Sequence, residues 1–266
     1  MSTRLRRSIL EARSPARWLG RDFVYKLRTG STMDDARALA LDGAPSGVVV
    51  FAEEQTAGRG TRGRTWVSPA GQNLSFTILL RPTPAQIQRL SLITPVAIAN
   101  AVEQVLGLYP RIKWPNDLHL KGKKFSGILI EGEWNGDKPA FALVGVGVNV
   151  NFDPAPHAAQ IARPATSLAL EKGRPLPREP ILAAIFASFE RAYEGADHPA
   201  LFNGWRSRQE LLGRPVTLSG SPAIREPGGK IEGVAEDVDE DGSLLVRLPS
   251  GDLRRFLAGE VTLRHA

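Results

Sequence analysis

The chain has no cysteine, and its 266 residues include only two methionines and four histidines. These absences exclude disulfide bonds, thiolate nucleophiles and thiolate-bound zinc, and histidines this few and scattered do not form a histidine-rich metal site. No dedicated metal ligands are predicted; any metal is expected as an oxygen-bound ion. No apolar run approaches the ~20 residues that a membrane-spanning helix needs, and no apolar segment near the start resembles a secretory signal. The expected setting is the cytoplasm, away from a membrane.

Acidic charge is scarce at the start, where residues 1–21 hold Arg4, Arg6, Arg7, Arg13, Arg17 and Arg21 against Glu11 alone. Residues 211–266 invert the balance, with seven basic and nine acidic side chains. The net charge of +6 is therefore not spread as the basic face of a nucleic-acid binder. Residues 1–21 are too few for two packed helices and a turn, so no DNA-reading unit is expected there. They read as a basic leader, with an organelle transit sequence as the less favoured alternative.

What the chain does have is an ordinary globular composition, 42% hydrophobic and 23% charged, enough for one large domain and a small one. Its densest stretch is Gly58-Arg59-Gly60-Thr61-Arg62-Gly63-Arg64-Thr65-Trp66. Glycines let backbone N–H groups approach a ligand closely, and guanidinium forks match carboxylate or phosphate oxygens. Alone, such a stretch is more often a mobile basic loop. The apolar run at 47–52 before it predicts a strand, which puts the loop at a strand end.

Other stretches add to this. Ser31 or Thr32 precedes Asp34, Asp35 and a helical pattern; a plain N-cap accounts for these residues, and hydroxyls at a helix start also hold polar ligand groups. Residues 73–80 read as a strand and 84–107 as helical, with Thr94 and Pro95 starting a second helix to about Leu106 rather than kinking one. Residues 111–133 read as strand, turn and hairpin, with Lys113 and Asp117 flanking Trp-Pro-Asn. Lys121 and Lys123 are solvated tips. Lys113 and Lys124 abut apolar runs, where a charge is costly without an anionic partner. Along 141–151, Gly145 and Gly147 fall on one strand face, so a helix backbone or a flat ligand comes close there, with Asn149 offering an amide to a ring. Residues 152–177 are irregular, 178–195 and 198–211 are amphipathic helices, and five short strands after Gly213 suggest a small barrel.

Together these blocks resemble the biotin protein ligases. The glycine-rich loop is similar to residues 58–66, the Lys-Trp-Pro-Asn-Asp motif to 113–117, the Lys-x-x-Gly-Ile strand to 124–128 and the Gly-x-Gly-x-Asn strand to 145–149. The resemblance implies an α+β fold, a mixed central sheet flanked by helices with a small C-terminal SH3-like β-barrel. It divides the chain into a leader (1–21), a catalytic domain (22–211) and the barrel (212–266), without the DNA-binding domain of repressor members. It implies ATP and magnesium, activation of biotin to its adenylate, and transfer to a lysine of a carboxylase biotin carrier domain; DNA binding is not expected, and a homodimer is left open. Lys124, Arg59, Lys113 and Asp117 take the catalytic roles by this resemblance, Asp117 orienting the acceptor amine or binding magnesium. Ser31, Thr32, Met33, Gln55, Arg59, Gly60, Thr61, Lys124 and Gly127 take biotin, and Arg62, Arg64, Trp66, Asn116 and Asn149 take the nucleotide. Two positions depart from the pattern: Thr61 stands where arginine is usual, with Arg62 as the compensating cation, and Met33 stands where asparagine is usual. The rival readings are a lipoate or octanoate protein ligase and a non-catalytic sensor of biotin adenylate.

Overall fold

The computed structural model describes residues 4–6, 10, 14–161, 163–221, 223–224, 229–257 and 259–263. A seven-stranded mixed sheet runs in the order β1-β2-β3-β7-β6-β5-β4. Its strands are β1 (Phe23–Lys26), β2 (Val49–Ala52), β3 (Leu74–Leu80), β4 (Arg111–Lys113), β5 (Asp117–Leu120), β6 (Lys123–Asn135) and β7 (Lys138–Val148). Only β1 and β2 pair in parallel. Among the described residues no helix is long and apolar enough to cross a membrane.

Helices cover both faces, which is why the central strands are apolar on both sides. The larger core gathers Val49, Phe51, Phe76, Ile78, Val144 and Val146 beneath α2 (Pro84–Leu106) and α4 (Glu179–Glu194). The smaller one gathers Val48, Val50, Leu79, Phe141 and Leu143 beneath α1 (Thr32–Leu41). Between β7 and the last helix, α5 (Pro199–Ser207), lies an irregular stretch with the short α3 (Leu168–Lys172).

The α1 face positions the site. Because side chains alternate along a strand, Phe141, Leu143, Gly145 and Gly147 form one row. Two large residues pack under α1, and two glycines then leave the sheet bare. On β6 the alternation is interrupted by a bulge, since Leu118 pairs Ser126 while His119 pairs Lys124. The extra residue lets Phe125 and Ile128 both reach the larger core, as a strand that inserts one residue must turn a side chain over.

Residues 84–106 form one helix, not two. Thr83 is its N-cap in a reciprocal capping box with Gln86, and Pro95 lies inside it. Thr94 does not cap; its hydroxyl donates to the Leu90 carbonyl at 2.8 Å. Burial of Leu90, Leu92, Ile93, Val96, Ala97 and Ile98 on either side of the proline offsets the hydrogen bond that Pro95 cannot make.

The segment read as a basic leader contributes to the core. Leu5, Leu10 and Leu19 are buried, and the Leu5 N–H donates to Glu53 Oε1 at 2.6 Å. Backbone N–H groups of Arg17, Trp18 and Leu19 converge on the Glu190 carboxylate at 2.9, 3.0 and 3.2 Å. Burial pushes that carboxyl up, and these donors with the Arg17 side chain outweigh it, holding it below the usual carboxylate range.

The C-terminal region is an antiparallel sheet of β8 (Pro215–Ser219), β9 (Lys230–Val238), β10 (Leu244–Arg247), β11 (Leu253–Phe256) and β12 (Glu260–Leu263), in the order β11-β10-β9-β8-β12. The strand count matches the expected barrel, but the ladder is not closed among the described residues. It docks on the larger sheet through Trp114 Nε1, which donates to the Gly242 carbonyl at 2.8 Å. Arg206 adds a fork to Asp237 with two bonds of 2.7 Å.

Candidate active site

Two adjoining clefts open where the α1 face of the sheet is bare. The first, about 470 Å3, is lined by the start of α1, the glycine loop and the floor at Gly127, Leu129, Gly145 and Gly147. Its polar wall is already assembled. Ser31 caps α1, and Gln55 Oε1 accepts from the Thr32 backbone N–H and hydroxyl at 2.9 and 3.1 Å. Thr77 on β3 donates to the Thr32 hydroxyl at 2.8 Å. Ser31, Thr32 and Met33 are 2–3% exposed, so each is fixed by packing and hydrogen bonds that need no ligand.

The second cleft, about 860 Å3, is lined by Arg64, Val67, Asn149, Phe152, Gln160, Ile161, Arg163 and Ala165. Gly60, Thr61, Trp66, Asp117 and Lys124 line both. At this joint Lys124 Nζ lies 2.6 Å from Asp117 Oδ1 and 5.6 Å from the centre of the Trp66 ring. The β4–β5–β6 ladder sets the pair, opposing Lys113 to Asp117 and Asp117 to Gly127. Trp66 lies on Gly147 so closely that a methyl there would fall inside the indole. Its Nε1 is buried against the Gly147 floor without a partner among the described residues.

Arg59 enters the first cleft with its guanidinium 3.0 Å from Asp34 and 3.6 Å from Glu131. Arg64 reaches back to Thr61, bonding its carbonyl at 3.2 Å and its hydroxyl at 3.4 Å. Arg64, rather than Arg62, is thus the guanidinium beside Thr61. Arg62 packs on Gly220, the residue after β8, where a methyl would stand 2.7 Å from its Nη1. Its φ of 60° is a conformation that costs a non-glycine residue and is held by the surrounding loop.

Three other expected residues sit differently. Lys113 lines neither cleft; it is half-buried behind Asp117, and burial first, then Arg163, holds its ammonium below the usual lysine range. Asn116 donates to the Ile128 carbonyl at 2.6 Å and steadies the turn. Asn149 lines the second cleft but spends its amide internally, donating to the Thr166 carbonyl at 3.1 Å and accepting from Asn73 at 3.4 Å.

Arg163 was not foreseen. It is brought in because Lys124 N–H donates to the Pro164 carbonyl and Thr166 N–H to the Lys124 carbonyl, at 3.0 and 2.9 Å. Burial first, then Arg64, pushes its guanidinium down, with Asp117 opposing. The surrounding segment has no periodicity to flag it, whereas the floor glycines at 145 and 147 were flagged by their spacing.

Chemically, an apolar slot with a hydroxyl and amide wall meets a cationic hollow at one lysine–carboxylate pair. The biotin/lipoate A/B protein ligase family matches residues 27–149, and the biotin protein ligase C-terminal domain matches residues 211–264. The chain is 36% identical to the biotin–[acetyl-CoA-carboxylase] ligase of Paracoccus denitrificans, over 84% of this chain and 93% of that one. It is 31% identical to the bifunctional ligase/repressor BirA of Bacillus subtilis, over 92% and 75%. The biotin protein ligase of Aquifex aeolicus, solved with biotin and ATP, superposes with a TM-score of 0.74 at 28% identity, covering 92% of this chain and all of that one. On its motifs, its fold and these relatives, the chain belongs to the biotin protein ligase family.

Proposed function

We propose that the protein activates biotin with ATP to biotinyl-5′-AMP and transfers the biotinyl group to a specific lysine of a carboxylase biotin carrier domain. The observation that carries this reading is the joint: Lys124, Asp117 and Trp66 border both an apolar slot and a cationic hollow. The relatives' names and the Aquifex aeolicus complex support it.

In this reading the first cleft takes the bicyclic ring of biotin, with Ser31, Thr32 and Gln55 facing its ureido group and Met33 and Gly127 its apolar surface. The second takes ATP, its base toward Phe152 and Ile161 and its phosphates toward Arg64 and Arg163. A biotin carboxylate oxygen attacks the α-phosphorus, the bond to the bridging oxygen breaks, and pyrophosphate leaves. Both reactants are anions, so cations fixed in advance lower the barrier. Lys124 stands where carboxylate and α-phosphate meet, the Trp66 ring walls that point, and the Arg59 loop excludes water from the mixed anhydride. In the second step the acceptor amine attacks the acyl carbon and AMP leaves. That amine is mostly protonated near neutral pH, its unperturbed pKa being about 10.4, and Asp117 orients it and takes its proton.

Among the described residues no three acidic or histidine side chains cluster as a metal site. A lone carboxylate nevertheless suits magnesium, which usually takes one or two carboxylates and the substrate's phosphates. Asp117 would hold it, and the ion would neutralise phosphate charge.

The test is direct. Incubation with biotin, ATP and a purified carrier domain should add one biotinyl mass to the carrier lysine, with octanoate and lipoate failing to compete. An unmodified carrier, or octanoyl transfer in preference to biotinyl, would overturn the reading.

A further inference from the structure

Met33 belongs to the first cleft alone and is not among the residues of the joint. It is the second residue of α1, 3% exposed, with its N–H donating to Ser31 Oγ at 3.3 Å. It lines the first cleft and not the second. Its thioether occupies the hollow that Gly145 leaves: a methyl on Gly145 would stand 2.7 Å from Sδ and 3.2 Å from Cγ. Met33 belongs to the small apolar cluster that includes Ala36, Ala40, Val50, Leu79, Phe141 and Leu143.

The floor row therefore runs from Phe141 and Leu143, which pack under the helix, to Gly145 and Gly147, which lack side chains and are covered by Met33 and Trp66. Met33 is the side chain at the boundary. It brings no hydrogen-bonding group of consequence, so it acts on a ligand by occupying volume, and its unbranched chain moves more readily than a branched one.

We infer that Met33 is a specificity-determining residue, a plug that sets how large a ring system the first cleft admits. This rests on the biotin reading above. Lys124 at the joint takes the carboxylate end of the ligand, so the ring end faces Met33. Shortening Met33 opens space toward the apolar cluster, which suits an added methylene on the ring and does nothing for one on the acyl chain. The fit of a single methylene in an apolar pocket is worth roughly 10- to 200-fold in discrimination.

The experiment compares biotin with two homologues, one with an extra methylene in the sulfur-containing ring and one with an extra methylene in the acyl chain. Binding is measured by calorimetry, and kcat/KM by transfer to the carrier. In M33A, the preference for the ring-enlarged homologue relative to biotin should rise about 10-fold or more, while that for the chain-lengthened one stays put. M33L, which nearly keeps the volume, should leave the ring ratio near the wild-type ratio, whatever it does to absolute affinity. An unchanged ring ratio, or an equal rise for both homologues, overturns the inference.

A second arm works from the opposite side. G145A should force the thioether into the cleft and raise the biotin Kd about 10-fold, and M33A/G145A should recover most of the loss. Failure of the double variant to recover also overturns it. A wild-type chain that binds none of the three ligands overturns the inference together with the reading beneath it; one that binds biotin, with ratios indifferent to Met33, overturns the inference alone.

Discussion

The two clefts share a wall and differ in almost every physical respect. The first is walled by buried and half-buried side chains that satisfy one another before any ligand arrives: Thr32 to Gln55, Thr77 to Thr32, Ser31 to the α1 backbone. The second is larger and carries guanidinium groups from the glycine loop and an irregular segment, with Asp117 as the carboxylate among its lining residues. The difference teaches a division of labour. A preassembled hydrogen-bonding slot reads shape at little ordering cost, while a cationic hollow attracts polyphosphate through charge and specifies less.

Substitutions should therefore separate by cleft, except at the joint. Lys124→Ala removes the cation common to both and should cost the most, about 10²–10³-fold in adenylate formation, the loss typical of a donor facing developing negative charge. Normal pyrophosphate release by this variant would break the comparison. Arg178→Met acts outside both cleft linings. Its guanidinium is buried with the Glu53 carboxylate at 2.8 Å and bonds the Asn73 carbonyl at 2.7 Å. Stranding that carboxylate should lower folding stability by about 3–5 kcal/mol, read as a fall in thermal midpoint. KM values for biotin and ATP should then move together; a selective effect on one would count against a purely structural role.

The next pair sharpens the comparison directly. Thr32→Ala should raise the KM for biotin about 10-fold or more and leave that for ATP unchanged, since it takes a hydroxyl donor from half-buried Gln55. Arg64→Ala should do the reverse, about 10-fold on ATP, a charge-assisted contact being worth about 1.5–3 kcal/mol. Equal effects on both substrates in steady-state kinetics would dissolve the distinction. The smallest effect is expected from Thr61→Arg. Because the Arg64 guanidinium already bonds Thr61, a second arginine should lengthen the adenylate's lifetime only a few-fold, measured by release of the intermediate without a carrier. No change would remove the idea that Thr61 loosens retention.

Strands and site were legible wherever local pattern and tertiary demand coincide. The helix start was announced with Ser31 or Thr32 as its cap, and Ser31 is the one; the alternation of 141–147 told which glycines would be approached. Met33 and Trp66, which approach them, lie far away in sequence, and nothing local names them. Pro95 misled because a Thr-Pro pair looks the same at a helix start as within a helix whose flanks are buried. Leu5, Leu10 and Leu19 follow no helical or strand period, so their burial depended on a surface formed by other elements. Arg163 reaches the second cleft through two backbone bonds to Lys124, a contact between segments that composition cannot report.

Biotin-dependent exchange of labelled pyrophosphate into ATP, run without any carrier, tests most directly whether carboxylate and α-phosphate meet at Lys124. The account predicts exchange in the wild-type protein only when biotin is present, and its loss in Lys124→Ala. Exchange that ignores biotin, or that survives the loss of Lys124, would contradict it.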